Sequence, residues 1–169
     1  MAHERQGSFS VHANGHHVFH PRRTFVGHVM RFKKLSDSCT PPTKAHVADA
    51  GWDMYSDEFI AIPPGVRQVV STGIAIDIPQ GYVGLVKPRS GLARNYGLDI
   101  LGGVIDSGYH GEIKVVLVNH GELTYTAAPG TRIAQIVFQP ILMQGMHEVE
   151  EFGNKTTRGD DGFGSTGTD

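Results

Sequence analysis

The stretch Glu112-Ile113-Lys114-Val115-Val116-Leu117-Val118-Asn119 decides the fold class. Successive side chains of a strand point to opposite faces. Val115 and Leu117 therefore make one face apolar, and Val116 and Val118 the other. A strand apolar on both faces belongs at the centre of a sheet. Working outward, the sequence predicts further short strands at Val26–Lys33, Ser71–Ile78, Tyr82–Lys87 and Ile133–Pro140. In Ser71–Ile78 the residues Ile74, Ile76 and Ile78 alternate with smaller or polar ones, a period of two. Turn signals punctuate the runs at Pro63-Pro64-Gly65, Pro79-Gln80-Gly81, Gly102-Gly103 and Pro129-Gly130. Only Ser90–Asn95 predicts a helix, of one or two turns. The expected fold is all-β, a jelly-roll-like barrel or sandwich of short strands with one short helix.

The 169 residues suffice for one domain with a full core. A formal net charge of -2 gives no global basic field for duplex nucleic acid. Cys39 is the single cysteine, so no disulfide forms within the chain, and a reducing, intracellular compartment is expected. No apolar run approaches the ~18 residues of a membrane span, and the N-terminus lacks the charged-then-apolar layout of a secretory signal. Residues 1–24 are rich in His, Gly, Asn and Ser and read as a mobile leader. His12, His16 and His20 recur every four residues. Gly15 and Pro21 make a helix there poor, so any metal affinity is adventitious. Residues 25–152 form the expected β domain, and 153–169 a flexible C-terminal arm.

Five polar clusters interrupt the β pattern. They are Ala50-Gly51-Trp52-Asp53, Pro88-Arg89-Ser90-Gly91-Leu92-Ala93, Gly103-Val104-Ile105-Asp106-Ser107-Gly108-Tyr109-His110-Gly111, Gly130-Thr131-Arg132-Ile133-Ala134-Gln135 and the tail Arg158–Gly167. Each alone also reads as ordinary structure. Asp106 can cap a turn, Arg132 can serve an ion pair, and the tail can be a solvated glycine-rich end. Together their chemistry is complementary. Arg89-Ser90-Gly91 sets a cation, a hydroxyl and a glycine N–H before the expected helix, an anion site in outline. Asp53 and Asp106 fall in different turns. One can position Mg²⁺ or its waters, and the other can act as general base. The tail carries a forked cation at Arg158, a stacking ring at Phe163, and close backbone approach with two hydroxyls at Gly164-Ser165-Thr166. So little apolar bulk leaves it mobile when empty. With no Ser-His-acid elbow and no Walker-type loop, water is the natural nucleophile.

In this order the five clusters resemble the five motifs of the homotrimeric dUTPases, from about Val26 to Gly167. That resemblance implies hydrolysis of dUTP to dUMP and pyrophosphate with Mg²⁺, limiting uracil in DNA and supplying dUMP for dTMP synthesis. It implies that Asp106 activates the attacking water. Tyr109 would pack against deoxyribose and exclude a 2′-hydroxyl, and the hairpin around Gly103, Val104 and Ile105 would read uracil through its backbone. Arg89, Ser90, Gly91 and Gln135 would lie on the phosphate side, and Asp53 would hold the water shell of a metal bound mainly by the triphosphate. Arg158 would grip the γ-phosphate and Phe163 stack on uracil, with Gly164, Ser165 and Thr166 along the phosphates. It further implies a homotrimer with shared sites.

Two positions depart from the family pattern. Met54 replaces a usual Leu, and Thr131 replaces a common acid. Two other readings compete. A dCTP deaminase, similar in fold, would place a catalytic glutamate where Val116 stands. A regulatory or interaction protein on this fold would need neither Asp106 nor the full tail.

Overall fold

A computed structural model describes residues 7–11, 17–21, 30–153 and 156. In chain order the elements are β1 Gly7–Val11, β2 His17–Pro21, β3 Arg31–Lys34, β4 Gly51–Tyr55, β5 Ile60–Ile62, β6 Arg67–Val70, β7 Ile74–Asp77 and β8 Tyr82–Lys87. The helix α1 Ser90–Tyr96 follows, then β9 Leu98–Leu101, β10 Val104–Ile105, β11 Val115–Asn119, β12 Tyr125–Ala127 and β13 Arg132–Pro140. All pairings are antiparallel. A four-stranded sheet has the order β10-β8-β13-β4, and a three-stranded sheet the order β6-β11-β9. Two-stranded ladders β12-β5 and β3-β7 complete the β domain, while β1 and β2 pair only with each other. No helix among the described residues is long and apolar enough to cross a membrane.

The core draws only in part on the strands expected from sequence, since Met54, Ile60, Ile62 and Leu98 lie outside them. Met54, Ile60, Ile62, Ile74, Ile78, Leu98, Ile113, Leu117, Ile133 and Ile136 are all essentially inaccessible. β11 is central, flanked by β6 and β9, and Val115, Leu117 and Val118 are buried. At its end Asn119 is fully buried, yet its polar atoms are satisfied. Its Nδ2 donates to Ile62 O and Leu123 O, both at 2.8 Å, and its Oδ1 accepts from Gly121 N at 2.9 Å. Met54 fills its apolar slot at 0 % exposure. α1 stops at Gly97, whose φ of 67° is left-handed. A Cβ there would lie 2.7 Å from Gly121 N, so both conformation and space call for glycine.

Several boundaries differ from the sequence expectation for physical reasons. The strand expected from Ser71 begins at Ile74. The N–H groups of residues 71–73 are taken by carboxylates instead: Ser71 N by Glu58 Oε1 at 2.8 Å, and Thr72 N and Gly73 N by Glu112 Oε1 at 3.1 and 2.9 Å. β11 begins at Val115, and the Ile113 backbone before it is bonded to Ile74 O and the Thr72 hydroxyl instead. In β7, Ala75 is buried along with Ile74 and Ile76, so the strand is covered on both faces rather than alternating. Trp52 and Asp53, read as part of an interrupting turn, lie in β4. Their cluster pairs with β13, with Asp53 opposite Gln135. The strand expected at Ile133–Pro140 is β13, which opens one residue earlier, at Arg132. The hairpin expected around Gly103 is a crossing between sheets. β9 pairs with β11, whereas β10 pairs with β8. Gly102 and Gly103, with φ of 71° and 92°, turn the chain from one sheet to the other.

Candidate functional site

Two groups of motif side chains gather at opposite edges of the four-stranded sheet. The first surrounds Asp53 on β4. Arg89 sits in extended backbone just before α1, and its Nε donates to Asp53 Oδ1 at 2.9 Å. Arg132 Nη1 donates to Asp53 Oδ2 at 3.3 Å. Gln135 Nε2 donates to Pro88 O at 3.0 Å, tying β13 to the residue before Arg89. A Cβ on Gly51 would lie 2.2 Å from Gln135 Oε1, so that glycine makes room for the amide. Arg132 and Gln135 are three apart, which would put them on opposite faces of a regular strand. A register shift between Arg132 and Ala134 lets both serve the Asp53 side, a bulge re-aiming a functional side chain. Ser90 and Gly91 open the seven-residue helix α1, with no acidic residue in the first turn and no side-chain cap. Their N–H groups belong to the four that a helix leaves without internal acceptors.

The sequence offered no signal for Arg132 beyond an ion pair, and the bulge that places it is invisible in the residue pattern. Asp53 is the anchor of this cluster, its side chain 14 % exposed between two guanidinium groups. Asp53→Asn is expected to lower unfolding free energy by about 1–3 kcal/mol, because charge-assisted bonds to two cations are replaced by neutral ones. A urea midpoint equal to the parent's would show that these pairs do not hold β4, β13 and the start of α1 together.

The second group lies beyond β10. Val104, Ile105, Asp106, Tyr109, Glu112 and Lys114 line one cavity of about 240 Å³. Asp106 and Tyr109 are joined by a tight turn in which Tyr109 N donates to Asp106 O at 3.2 Å. Gly108, at φ 85°, occupies the left-handed third position that such a turn needs. Asp106 is exposed at the cavity. The Tyr109 hydroxyl donates to Glu112 O at 2.9 Å. Gly103 O accepts from Val86 N at 2.8 Å, and a Cβ on Gly103 would lie 2.7 Å from Val86 O. Only glycine fits that approach of the backbone to β8. Glu112 and Lys114, paired at 3.6 Å, were not singled out from sequence. Their even spacing into β11 reads simply as a solvated strand start.

Behind this loop, Asp77 pairs with Arg31 and, at 3.4 Å, with His110. The hydrogen bond from Arg31 holds the Asp77 carboxyl below the usual carboxylate value against partial desolvation, and His110 adds in the same direction. A larger cavity, about 640 Å³, opens between the end of α1 and residues 121–126. It is lined by none of the motif residues.

No hydrogen bond or ion pair among the described residues links the two groups. β4 and β10 are three strand spacings apart, roughly 14 Å at ~4.8 Å each. One chain thus presents a cationic cluster and an acid–tyrosine cavity on separate edges. Arg158, Phe163, Gly164, Ser165 and Thr166 lie outside the described residues.

The dUTPase family model matches residues 37–167. The chain belongs to the dUTPase family. A deoxyuridine 5'-triphosphate nucleotidohydrolase of Clostridioides difficile is 42% identical over 140 residues, covering 82% of this chain and 97% of that protein. Among solved structures, the dUTPase of Staphylococcus bacteriophage 80alpha with dUPNHPP superposes with a TM-score of 0.80 at 34% identity, covering 83% of this chain and 99% of that one. A variant dUTPase from phage phi11 of S. aureus, described for its coordination of a structural Mg(II) ion, matches with a TM-score of 0.70 at 32% identity over 75% of this chain and 99% of that one. The jelly-roll-like β fold is thus that of the dUTPases. The third motif maps onto the acid–tyrosine cavity, and the first, second and fourth onto the cationic cluster.

Proposed function

We propose that this dUTPase hydrolyses dUTP to dUMP and pyrophosphate by in-line attack of water on the α-phosphorus. The observation that carries the reading is that Asp106, Tyr109, Val104 and Ile105 line one cavity. Asp106 accepts a proton from the attacking water. The new bond forms from the water oxygen to the α-phosphorus, the bond to the α–β bridging oxygen breaks, and pyrophosphate leaves. The Tyr109 ring packs on the deoxyribose and leaves no room for a 2′-hydroxyl. Backbone groups of residues 103–105 read uracil, rejecting cytosine by mispaired hydrogen bonds. Arg89, with Ser90, Gly91 and Gln135, faces the phosphates.

Among the described residues no three His, Cys, Asp or Glu side chains are grouped to hold a metal ion. Asp53, already committed to two arginines, suits contact with the ion's water shell only. When bound, Mg²⁺ neutralises the triphosphate and fixes its geometry.

Asp53 on β4 and the cavity beside β10 lie at the two edges of the four-stranded sheet. A homotrimer completes the site, pairing the cavity of one copy with the cationic cluster of a neighbour and the tail of the third. Exposed Val66, Val69, Leu101 and the apolar residues of 141–152 supply surface for such contacts. Light scattering is expected to give three subunits of 18.3 kDa, and a fully active monomer at assay concentration would contradict the shared site. Deleting residues 1–24 should leave both trimer and dUTP hydrolysis intact, since the matched family region begins at residue 37. Loss of either would give the leader a structural role.

Inside the cell, where the lone Cys39 stays reduced, this activity keeps uracil out of DNA and supplies dUMP. The deaminase reading loses its base, because Val116 stands in mid-β11 between Val69 and Leu101. The deciding assay is pyrophosphate release from dUTP, dCTP and UTP in parallel. Release from dUTP alone supports the proposal, and ammonia from dCTP or silence on all three overturns it.

A further inference from the structure

Tyr109 is 47% exposed, so packing alone does little to fix its ring. Its hydroxyl is held by Glu112 O at 2.9 Å. Beneath it, a Cβ on Gly111 would lie 2.6 Å from the Tyr109 hydroxyl, so the ring occupies space that only glycine leaves open. The position of the ring therefore depends on where residues 111 and 112 are held.

Besides the bonds of the Ile113 backbone, the Glu112 side chain ties them down. Its Oε1 accepts from Thr72 N at 3.1 Å and from Gly73 N at 2.9 Å, and its Oε2 lies 3.6 Å from Lys114 Nζ. Two N–H donors on one ionised oxygen make a stronger tie than neutral hydrogen bonds. The turn that receives it is firm. Thr72 is fully buried, its hydroxyl donates to Ile113 O at 2.6 Å, and Ile113 N donates to Ile74 O at 2.8 Å. Gly73, at φ 65°, would meet Cys39 Cβ at 2.5 Å if it carried a Cβ, so the turn has no freedom to drift.

We propose that Glu112 is a positioning residue for sugar selection: its carboxylate bolts the Tyr109 loop to the Thr72–Gly73 turn and so sets the height of the tyrosine ring in the cavity. The inference rests on the dUTPase reading above. Selection by exclusion is sensitive to placement, because a ring displaced by about 1 Å readmits a hydroxyl, and displacements of that size can cost on the order of 10²-fold in rate.

The test is kcat/KM for dUTP and for UTP in the full chain, its Glu112→Ala, Glu112→Asp and Glu112→Gln variants, Tyr109→Phe, and the double variant Tyr109→Phe with Glu112→Ala. Gln keeps an acceptor for both amides and should hold the parent's dUTP/UTP ratio. Ala should lower that ratio by roughly tenfold or more. Asp, one methylene short of the two amides, should fall between them, and it carries the test if the Ala variant does not fold. In the Tyr109→Phe background, Glu112→Ala should add little, since the tie it acts through is already cut. Melting temperatures separate this from general loosening, which would lower rates on both nucleotides and leave the ratio alone. An unchanged ratio in the Ala and Asp variants overturns the inference while leaving the reaction assignment standing. A parent protein inactive on dUTP overturns that assignment, and the inference with it.

Discussion

Asp106→Asn is expected to turn over dUTP at least ~10²-fold more slowly than the parent while still binding nucleotide, the signature of a lost general base. Asparagine matches aspartate in size, so the cavity keeps its shape. The turn is held by main-chain atoms, Tyr109 N donating to Asp106 O, and survives the change. What disappears is the acceptor for the water proton. Single-turnover hydrolysis, with calorimetric binding of a non-hydrolysable dUTP analogue, separates the two effects. Near-normal turnover would remove Asp106 from the role.

Truncation after Lys155 is the second large effect expected. It removes the Arg158 cation, the Phe163 ring and the Gly164-Ser165-Thr166 phosphate contacts in one cut. Stacking of one ring on a base contributes roughly 1–3 kcal/mol, and the cost of ordering ten residues opposes it. The net effect on ground-state affinity is therefore modest. Turnover suffers more, because a closed segment excludes water and aligns the triphosphate for in-line attack, effects worth on the order of 10²-fold or more. Steady-state kinetics beside equilibrium binding read the split, and light scattering should still report three subunits. Full-rate turnover by the truncated chain would make the tail a solvated appendage.

Local pattern carried much of the fold. β8 matches its expected span, Tyr82–Lys87, and α1 runs one residue past the expected end. The apolar run Val115–Val118 located the central strand because burial on both faces leaves a continuous signal. β5, β6, β9, β10 and β12 were not legible, since two to four residues are too few to display a period of two. Val69 and Leu101, moreover, point apolar bulk to solvent. β4 was hidden by its own chemistry. A charged Asp53 argues for a turn until Arg89 and Arg132, 36 and 79 residues away, are known to neutralise it.

The site divides the same way. The motif residues could be named one by one, because side-chain chemistry is local. Their separation into a cationic edge and an acid–tyrosine edge could not, because it follows from the strand order β10-β8-β13-β4. Glu112 escaped notice for a related reason. Its carboxylate serves main-chain amides 39 and 40 residues upstream, and no residue pattern reports such a partner.

The central claim is that water attacks the α-phosphorus of dUTP. Hydrolysis in ¹⁸O-enriched water, followed by mass spectrometry of both products, tests it most directly. The account predicts one labelled oxygen in dUMP and none in pyrophosphate. Label in the pyrophosphate, or no dUMP formed, would contradict it.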